Sequence, residues 1–166
     1  SDVYVSLGTD ALVDAGVEFA RVYRDDSYLA FSGGHTSTEG NNVSLAGDES
    51  DPLDSQAIHI ATRQPVADSW RFEAAVRYTD SVVGWDPSPW PDFVPVDGNR
   101  QTDTERLLLR AALEGEVTNW TPRLLVSRSR TDVANLADGT ITDTTAGTRD
   151  QITLAGRTAL FGHELN

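Results

Sequence analysis

Carboxylates are concentrated in two polar stretches of the sequence, where their chemistry suits a metal ion. Residues 48–54 hold four carboxylates, and residues 86–103 hold four more. Ca²⁺ takes about six to eight oxygen ligands and accepts them from flexible loops. The pattern therefore predicts a calcium site, with solvated acidic loops as the alternative interpretation. The candidate ligands are Asp48, Asp51, Asp54, Asp86, Asp97 and Asp103.

Aromatic residues in the second stretch form a candidate ligand loop. Trp85, Trp90 and Phe93 stand among several prolines, which restrict the backbone between them. Aromatic side chains held in this way can pack on a bulky organic ligand. The alternative is an outer loop that packs on itself.

Catalytic groups are poorly represented. The three histidines, His35, His59 and His163, lie in separate segments without the close spacing of metal ligands. The chain contains no cysteine, which excludes disulfides, thiolate metal sites and cysteine nucleophiles. It also contains no nucleophile-elbow motif. We therefore expect a protein that is not an enzyme.

Charge and hydropathy exclude two further classes. The 166 residues carry 26 acidic and 13 basic side chains, a formal net charge of -13, and every basic residue is arginine. Nucleic-acid binding needs a basic stripe, so we expect no nucleic-acid partner. No stretch approaches the roughly 18 to 20 apolar residues of a transmembrane helix.

Alternation of apolar and polar residues with period two is the dominant pattern, and it predicts strands. The longer runs approach the roughly 9 to 11 residues that a strand needs to cross a bilayer. The eight predicted strands span residues 3–7, 13–23, 28–34, 56–63, 70–79, 106–114, 123–129 and 151–160.

Loop lengths favour a particular all-β class. After the first strand pair, short turns alternate with long polar loops, as in outer-membrane barrels with short periplasmic turns and long outer loops. We therefore predict an all-β, antiparallel, up-and-down transmembrane β-barrel segment. The short turns are 24–27, 65–69 and 118–121, and the long loops are 36–55, 81–104 and 131–148.

Aromatic residues near the strand ends predict two interfacial girdles. Ordinary aromatics at strand ends are the alternative interpretation. The predicted girdle residues are Tyr23, Tyr28, Trp70 and Trp120 beside the short turns, and Tyr78, Trp85, Trp90 and Phe93 toward the long loops.

Strand parity predicts a polar inner wall. In the run 106–114, Leu108 is the only apolar residue that interrupts the alternation. The residues predicted to face inward are Glu18, His59, Arg63, Arg71, Glu73, Arg77, Arg106, Arg110, Glu114, Gln151 and Arg157.

Four segments carry a resemblance that covers nearly the whole chain in order and spacing. They are the hairpin 3–19, the strand 27–36 with its end at 39–42, the turn and strand 67–72, and the strand 123–129. Their succession resembles the first part of the barrel of TonB-dependent outer-membrane receptors, most closely the cobalamin-receptor branch.

The resemblance implies a location in the outer membrane of a Gram-negative bacterium and uptake of cobalamin or a ferric siderophore. It implies outer-membrane lipid, a plug domain, the rest of a barrel of about 22 strands and, through the plug, the TonB energy-coupling system as partners. It also implies calcium between two outer loops, where Asp51, Asp54 and Asp103 are nearest in position. The family's Asp-x-Asp spacing is not reproduced here.

The chain departs from this family by lacking a plug-like stretch, a coupling motif and a closing C-terminal strand. Because it also lacks a start Met, we expect residues 1–166 to be part of a barrel, about its first third. Two alternatives remain open. One is a complete eight-stranded outer-membrane barrel with a structural or adhesive role, and the other is a soluble calcium-dependent carbohydrate-binding β-sandwich.

Overall fold

The protein folds as one antiparallel β-sheet in a computed structural model. The structure describes residues 1–23, 26–41, 50–96, 98–160 and 163–165. None of these residues belongs to a helix, and so none to a helix that could cross a membrane. The strands are β1 (Asp2–Leu7), β2 (Val13–Val22), β3 (Tyr28–Thr38), β4 (Leu53–Ala67), β5 (Trp70–Trp85), β6 (Arg100–Gly115), β7 (Trp120–Ala137), β8 (Thr140–Leu160) and β9 (His163–Leu165).

Strand order in the sheet is the order of the sequence, because every strand pairs with its sequence neighbours. This confirms an all-β, up-and-down arrangement with eight principal strands, to which β9 adds three residues. Within the described residues β1 pairs only with β2, and β9 only with β8. The sheet is therefore open, unlike the complete eight-stranded barrel considered above.

A second layer is missing from the described part of the chain. The accessible surface is 11671 Å², whereas a globular protein of 18.0 kDa would expose about 8,000 Å². Ala112, at 3% exposure, is the one buried residue of the hydrophobic set in that part. A β-sandwich buries its core between two sheets, so the described fold does not support the sandwich alternative.

Connections at the two ends of the strands differ in length. At one end the turns are short, as predicted; at the other end the segments 39–52 and 86–99 are long, whereas 8–12 and 138–139 are short. Both long loops are shorter than predicted because the flanking strands extend further. The extension of β6 over residues 100–105 is polar on both faces, and that of β5 has Val82 and Val83 on opposite faces, so neither shows an alternation of apolar and polar residues.

The predicted loop 131–148 is wrong. Strands β7 and β8 run through this segment and meet at Asp138 and Gly139, whose φ angles are 51° and 71°. Two positive φ angles on an Asp-Gly pair are typical of a two-residue hairpin turn. Residues 140–148 are rich in threonine, which has high strand propensity, but they lack an apolar face.

Two tryptophans cover glycines on neighbouring strands near the short turns. Trp70 lies opposite Gly115 and Trp120 lies over Gly156. A Cβ atom added at Gly115 would come within 2.5 Å of the Trp70 ring. The missing side chain therefore allows the ring to lie flat on the sheet, which compensates for the weak packing of a strand glycine.

Gly115→Ala is expected to lower the free energy of unfolding by about 1–3 kcal/mol, because the ring of Trp70 must move away from the new methyl group. The matched control is Gly147→Ala, where nothing lies within 4 Å of the added atom. Urea unfolding followed by tryptophan fluorescence measures both. Equal stability of the two variants would contradict the packing described here.

Candidate functional site: the two faces of the sheet

One face of the sheet is apolar and is called the apolar face below. Residues that are direct cross-strand partners point to the same side, so the registers assign each residue to a face. A continuous row of large apolar side chains crosses β2 to β6 on this face, and several members are about 40% exposed. The row consists of Phe19, Phe31, Ile60, Val76 and Leu109.

The apolar residues of this face form a band that slants across the strand registers. Val5, central in the band on β1, shares its row of cross-strand partners with Ala146 on β8. The centre of the band on β8 is Leu154, eight residues further along. That offset is about 27 Å along the strand, across seven inter-strand spacings that total about 34 Å. If the band lies in one plane, as it would in a membrane, the strands are tilted by about 40° from the normal to that plane.

Charged residues mark the upper edge of the band, on the side of the long loops. Asp80, Glu105 and Asp132 are successive cross-strand neighbours in one row. Arg130 lies one row below this acidic row and pairs with Asp132 at 2.7 Å. One row further down, Arg128 pairs with its cross-strand partner Asp150 at 2.6 Å. Below this edge the apolar face of β5 and β6 is uncharged down to the short turns. The edge therefore separates an apolar zone from a water-compatible zone.

The opposite surface, called the polar face, collects most of the basic residues. All eleven residues predicted to face inward lie on it. Nine of the thirteen arginines do so, although the chain as a whole is strongly acidic. These nine are Arg63, Arg71, Arg77, Arg100, Arg106, Arg110, Arg123, Arg149 and Arg157.

An ion-pair network joins four strands on the polar face near the short turns. Glu73 accepts hydrogen bonds from Arg63 at 2.6 Å and from Arg123 at 2.8 Å. Arg123 also donates to Glu114 at 3.2 Å. To reach Glu73, Arg123 crosses β6 diagonally past Ala112, which lies directly opposite Glu73. The small side chain of Ala112 leaves room for this crossing.

Arg123 and Arg149 are residues of the polar face that sequence reasoning missed. Arg123 is the first residue of the strand predicted at 123–129. Strand parity puts it on the face that does not carry Leu124, which is the polar face. Arg149 lies just before the predicted strand 151–160, in a part of β8 without apolar alternation. Strand parity was therefore the available signal for Arg123, whereas Arg149 was missed because the predicted strand begins two residues after it.

A shallow cavity of about 340 Å³ lies on the polar face of the first five strands. Its floor contains Gly34 and Ala57, and the ring of Tyr4 lies over Gly16 beside it. Small residues in neighbouring strands lower the surface here, so that the side chains of Glu18 and His59 border a depression.

The candidate calcium ligands are only partly within the described residues. Asp48 and Asp97 lie outside them. Asp54 and Asp103 share a register row on the apolar face with Val82 between them, about 10 Å apart. The remaining two are separate, since Asp51 precedes β4 and Asp86 accepts a 3.2 Å hydrogen bond from the Gly98 amide.

No three His, Asp or Glu side chains in the described ranges converge as ligands of one metal ion. One observation favours a cation near Asp51, whose Oδ2 atom is buried and has no hydrogen-bond partner among the described residues. A buried carboxylate oxygen without a partner is costly. Calcium in these loops therefore stays a prediction.

Two of the three candidate ligand-loop aromatics are open to solvent. Trp90 is 81% exposed and Phe93 is 65% exposed, so this loop does not bury its own aromatics. Trp85 instead ends β5 on the polar face and donates a 3.1 Å hydrogen bond from Nε1 to Thr102. The three rings do not form one packed cluster.

The predicted girdle residues do not all lie on one face of the sheet, and the girdles themselves stay a prediction. Trp70, Trp120 and Tyr78 lie on the apolar face, where a girdle requires them. Tyr28 and Trp85 lie on the polar face, and the ring of Tyr28 contacts Arg63 at 5.6 Å. These two assignments are wrong because proximity to a strand end was read without strand parity.

The sequence matches no protein-family model, and no curated protein is detectably similar to it.

Glu73→Gln is expected to lower the free energy of unfolding by about 1–2 kcal/mol, because it leaves Arg63 and Arg123 without their shared carboxylate. The matched control is Glu116→Gln, an exposed turn residue with no ion pair among the described residues. Chemical unfolding measures both variants. If Glu73→Gln lowers the free energy of unfolding no more than Glu116→Gln does, the network contributes no measurable stability.

Calcium at millimolar concentration is expected to raise the unfolding midpoint of the complete gene product. Asp51→Asn removes one charged ligand and is expected to abolish that increase, whereas Asp92→Asn is expected to retain it. Calorimetric titration and thermal unfolding with and without Ca²⁺ measure the effect. Absence of both heat and stabilisation at millimolar metal would refute the site.

Proposed function

We propose that the chain forms part of the wall of a transmembrane β-barrel in the outer membrane of a Gram-negative bacterium. The observation that carries this proposal is a single antiparallel layer with an apolar face and a polar face, in which almost none of the described residues is buried. A contiguous exposed apolar area of this extent requires a cover, and lipid acyl chains are a suitable one.

The slant of the apolar band supports the same proposal. Strands of transmembrane barrels are tilted by about 35–45°, and the band crosses the registers at about 40°. On β5 the band extends from Trp70 to Tyr78, which at that inclination corresponds to a height of about 21 Å. This is close to the roughly 25 Å apolar belt of outer-membrane barrels. A level belt on tilted strands therefore explains the offset between β1 and β8.

Within such a barrel, we propose the role of a TonB-dependent receptor that takes up a corrinoid or an iron chelate. The support for this finer step is the resemblance of the strand succession, together with the exposed Trp90 and Phe93 on a long loop. The polar face would then border the plug and the lumen, and energy coupling would come through the plug. The contribution of this chain is a scaffold, an inner wall and ligand-capturing loops.

An adjacent pair of residues on β4 tests the membrane assignment. Ile60 lies on the apolar face at 43% exposure, and Ala61 lies on the polar face between Ala30 and Ala75. In phospholipid vesicles, Ile60→Arg is expected to lower the free energy of unfolding by about 2–4 kcal/mol, because it places a charge against acyl chains. Ala61→Arg is expected to change it by less than about 1 kcal/mol, since charges are tolerated on a wetted wall.

Urea unfolding of the complete gene product in vesicles measures the difference between the two variants. The membrane assignment would be wrong if Ile60→Arg and Ala61→Arg changed the free energy of unfolding equally. It would also be wrong if the protein did not float with the vesicles.

A further inference from the structure

Leu108 stands out on the polar face because it is an apolar residue in the middle of the basic half of the sheet. It is 43% exposed, and its direct partners are Arg77 on β5 and Ser129 on β7. Four arginines surround it and are called the arginine patch below. They are Arg77 opposite Leu108, Arg106 and Arg110 two residues away on β6, and Arg149 beyond Ser129 in the same row.

The spacing of these positions allows the four side chains to act on one ligand. Neighbouring strands are about 4.8 Å apart, and residues two apart on a strand are about 7 Å apart. Arg77, Arg106 and Arg110 therefore lie within about 7 Å of Leu108, and Arg149 lies about 10 Å away. Long side chains bridge such distances, so the guanidinium groups can converge above the leucine.

The arginine patch has no counter-charge in the described part of the chain. None of its four side chains has an ion pair or a hydrogen bond there. The nearest strand carboxylates on this face, Glu73 and Glu114, are bound to Arg63 and Arg123. On the apolar face, by contrast, Arg128 and Arg130 each have an aspartate partner. The positive charge of the patch is thus uncompensated within the described residues, although the full chain has 26 acidic residues.

The residues between the arginines are suited to an oxyanion. Ser127, Ser129 and Thr131 follow one another on the polar face of β7, directly opposite Arg110, Leu108 and Arg106. Hydroxyl groups donate hydrogen bonds to oxyanions, and guanidinium groups bind carboxylate or phosphate through two parallel hydrogen bonds. Leu108 offers a small apolar floor at the centre.

We propose that the arginine patch binds a small ligand that carries two or more carboxylate or phosphate groups around an apolar centre. This rests on the proposed function in one respect, since it takes the polar face to border a water-filled lumen. The inference restricts the nutrient of the proposed receptor to anionic compounds, because a neutral ligand would leave the four guanidinium charges without counter-charges.

Benzene-1,3,5-tricarboxylate is the probe, since it has three carboxylates on an apolar ring, and citrate is the comparison with a polar centre. In calorimetric titration of the complete gene product at low salt, the aromatic trianion is expected to bind saturably and more weakly as salt rises. Arg106→Gln and Arg110→Gln are each expected to weaken binding roughly tenfold.

Arg100→Gln is the matched control, because it removes the same charge from the same face of β6 at an exposed position six residues from Arg106. It is expected to change affinity by less than about twofold, since it lies outside the patch. Leu108→Asn is expected to weaken binding of the aromatic trianion and to leave citrate binding unchanged. The circular dichroism of each variant establishes that the sheet is retained.

Three results would overturn the inference. They are absence of saturable binding, an equal loss in Arg100→Gln and Arg106→Gln, or binding of poly-glutamate with none of either trianion. Vesicle flotation of the same variants separates this inference from the membrane assignment. Flotation without anion binding rejects the patch alone, whereas anion binding without flotation rejects the membrane wall and retains the patch.

Discussion

The single-layer sheet imposes the constraint on which the rest of the molecule depends. Strand pairing satisfies the backbone hydrogen bonds, but a single layer has no second layer against which to bury its apolar side chains. The large exposed area and the scarcity of buried residues follow directly. Stability must therefore come from strand pairing, from contacts between neighbouring side chains and from whatever covers the apolar face.

Charge is sorted by face rather than by position in the sequence. Nine arginines share the polar face, and two of them meet carboxylates in the network around Glu73. The acidic row of Asp80, Glu105 and Asp132 lies on the other face, at the edge of the apolar band. Like charges in neighbouring strands repel; Arg130 offsets the charge of Asp132, and solvent or counter-ions must screen the rest of the row. The net charge of the chain therefore describes neither face.

The fold class was predictable because an apolar face leaves a period-two pattern in each strand. The runs at 70–79 and 106–114 belong to β5 and β6, and parity put all eleven inward residues on one face. Where both faces are mostly polar, as in residues 131–148, that pattern vanishes and the sequence predicts a loop in place of the two strands. The Asp138-Gly139 pair was the remaining signal, since it is a strong hairpin sequence.

The candidate site was less predictable, because chemistry on a sheet depends on register as well as on residue type. Arg77, Arg106 and Arg110 were placed on the inner wall from parity, but their arrangement around Leu108 requires the pairing of β5 with β6. Arg149 joins them only through the pairing of β7 with β8. In the same way, the diagonal contact of Arg123 with Glu73 depends on the small size of Ala112. Composition alone cannot reveal such cross-strand neighbours.

Nearest-neighbour pairing also has a consequence for how the chain acquires its structure. Each strand pairs only with the strands that precede and follow it in the sequence, so no pairing requires contact between distant segments of the chain. The β7–β8 hairpin joins the two longest strands through a loop of two residues, as short as the β4–β5 loop, so it gains the most strand pairing for a small cost in chain entropy. We expect folding to begin at this hairpin and to continue by addition of neighbouring strands one at a time. The folding rate is then set by local rather than long-range contacts.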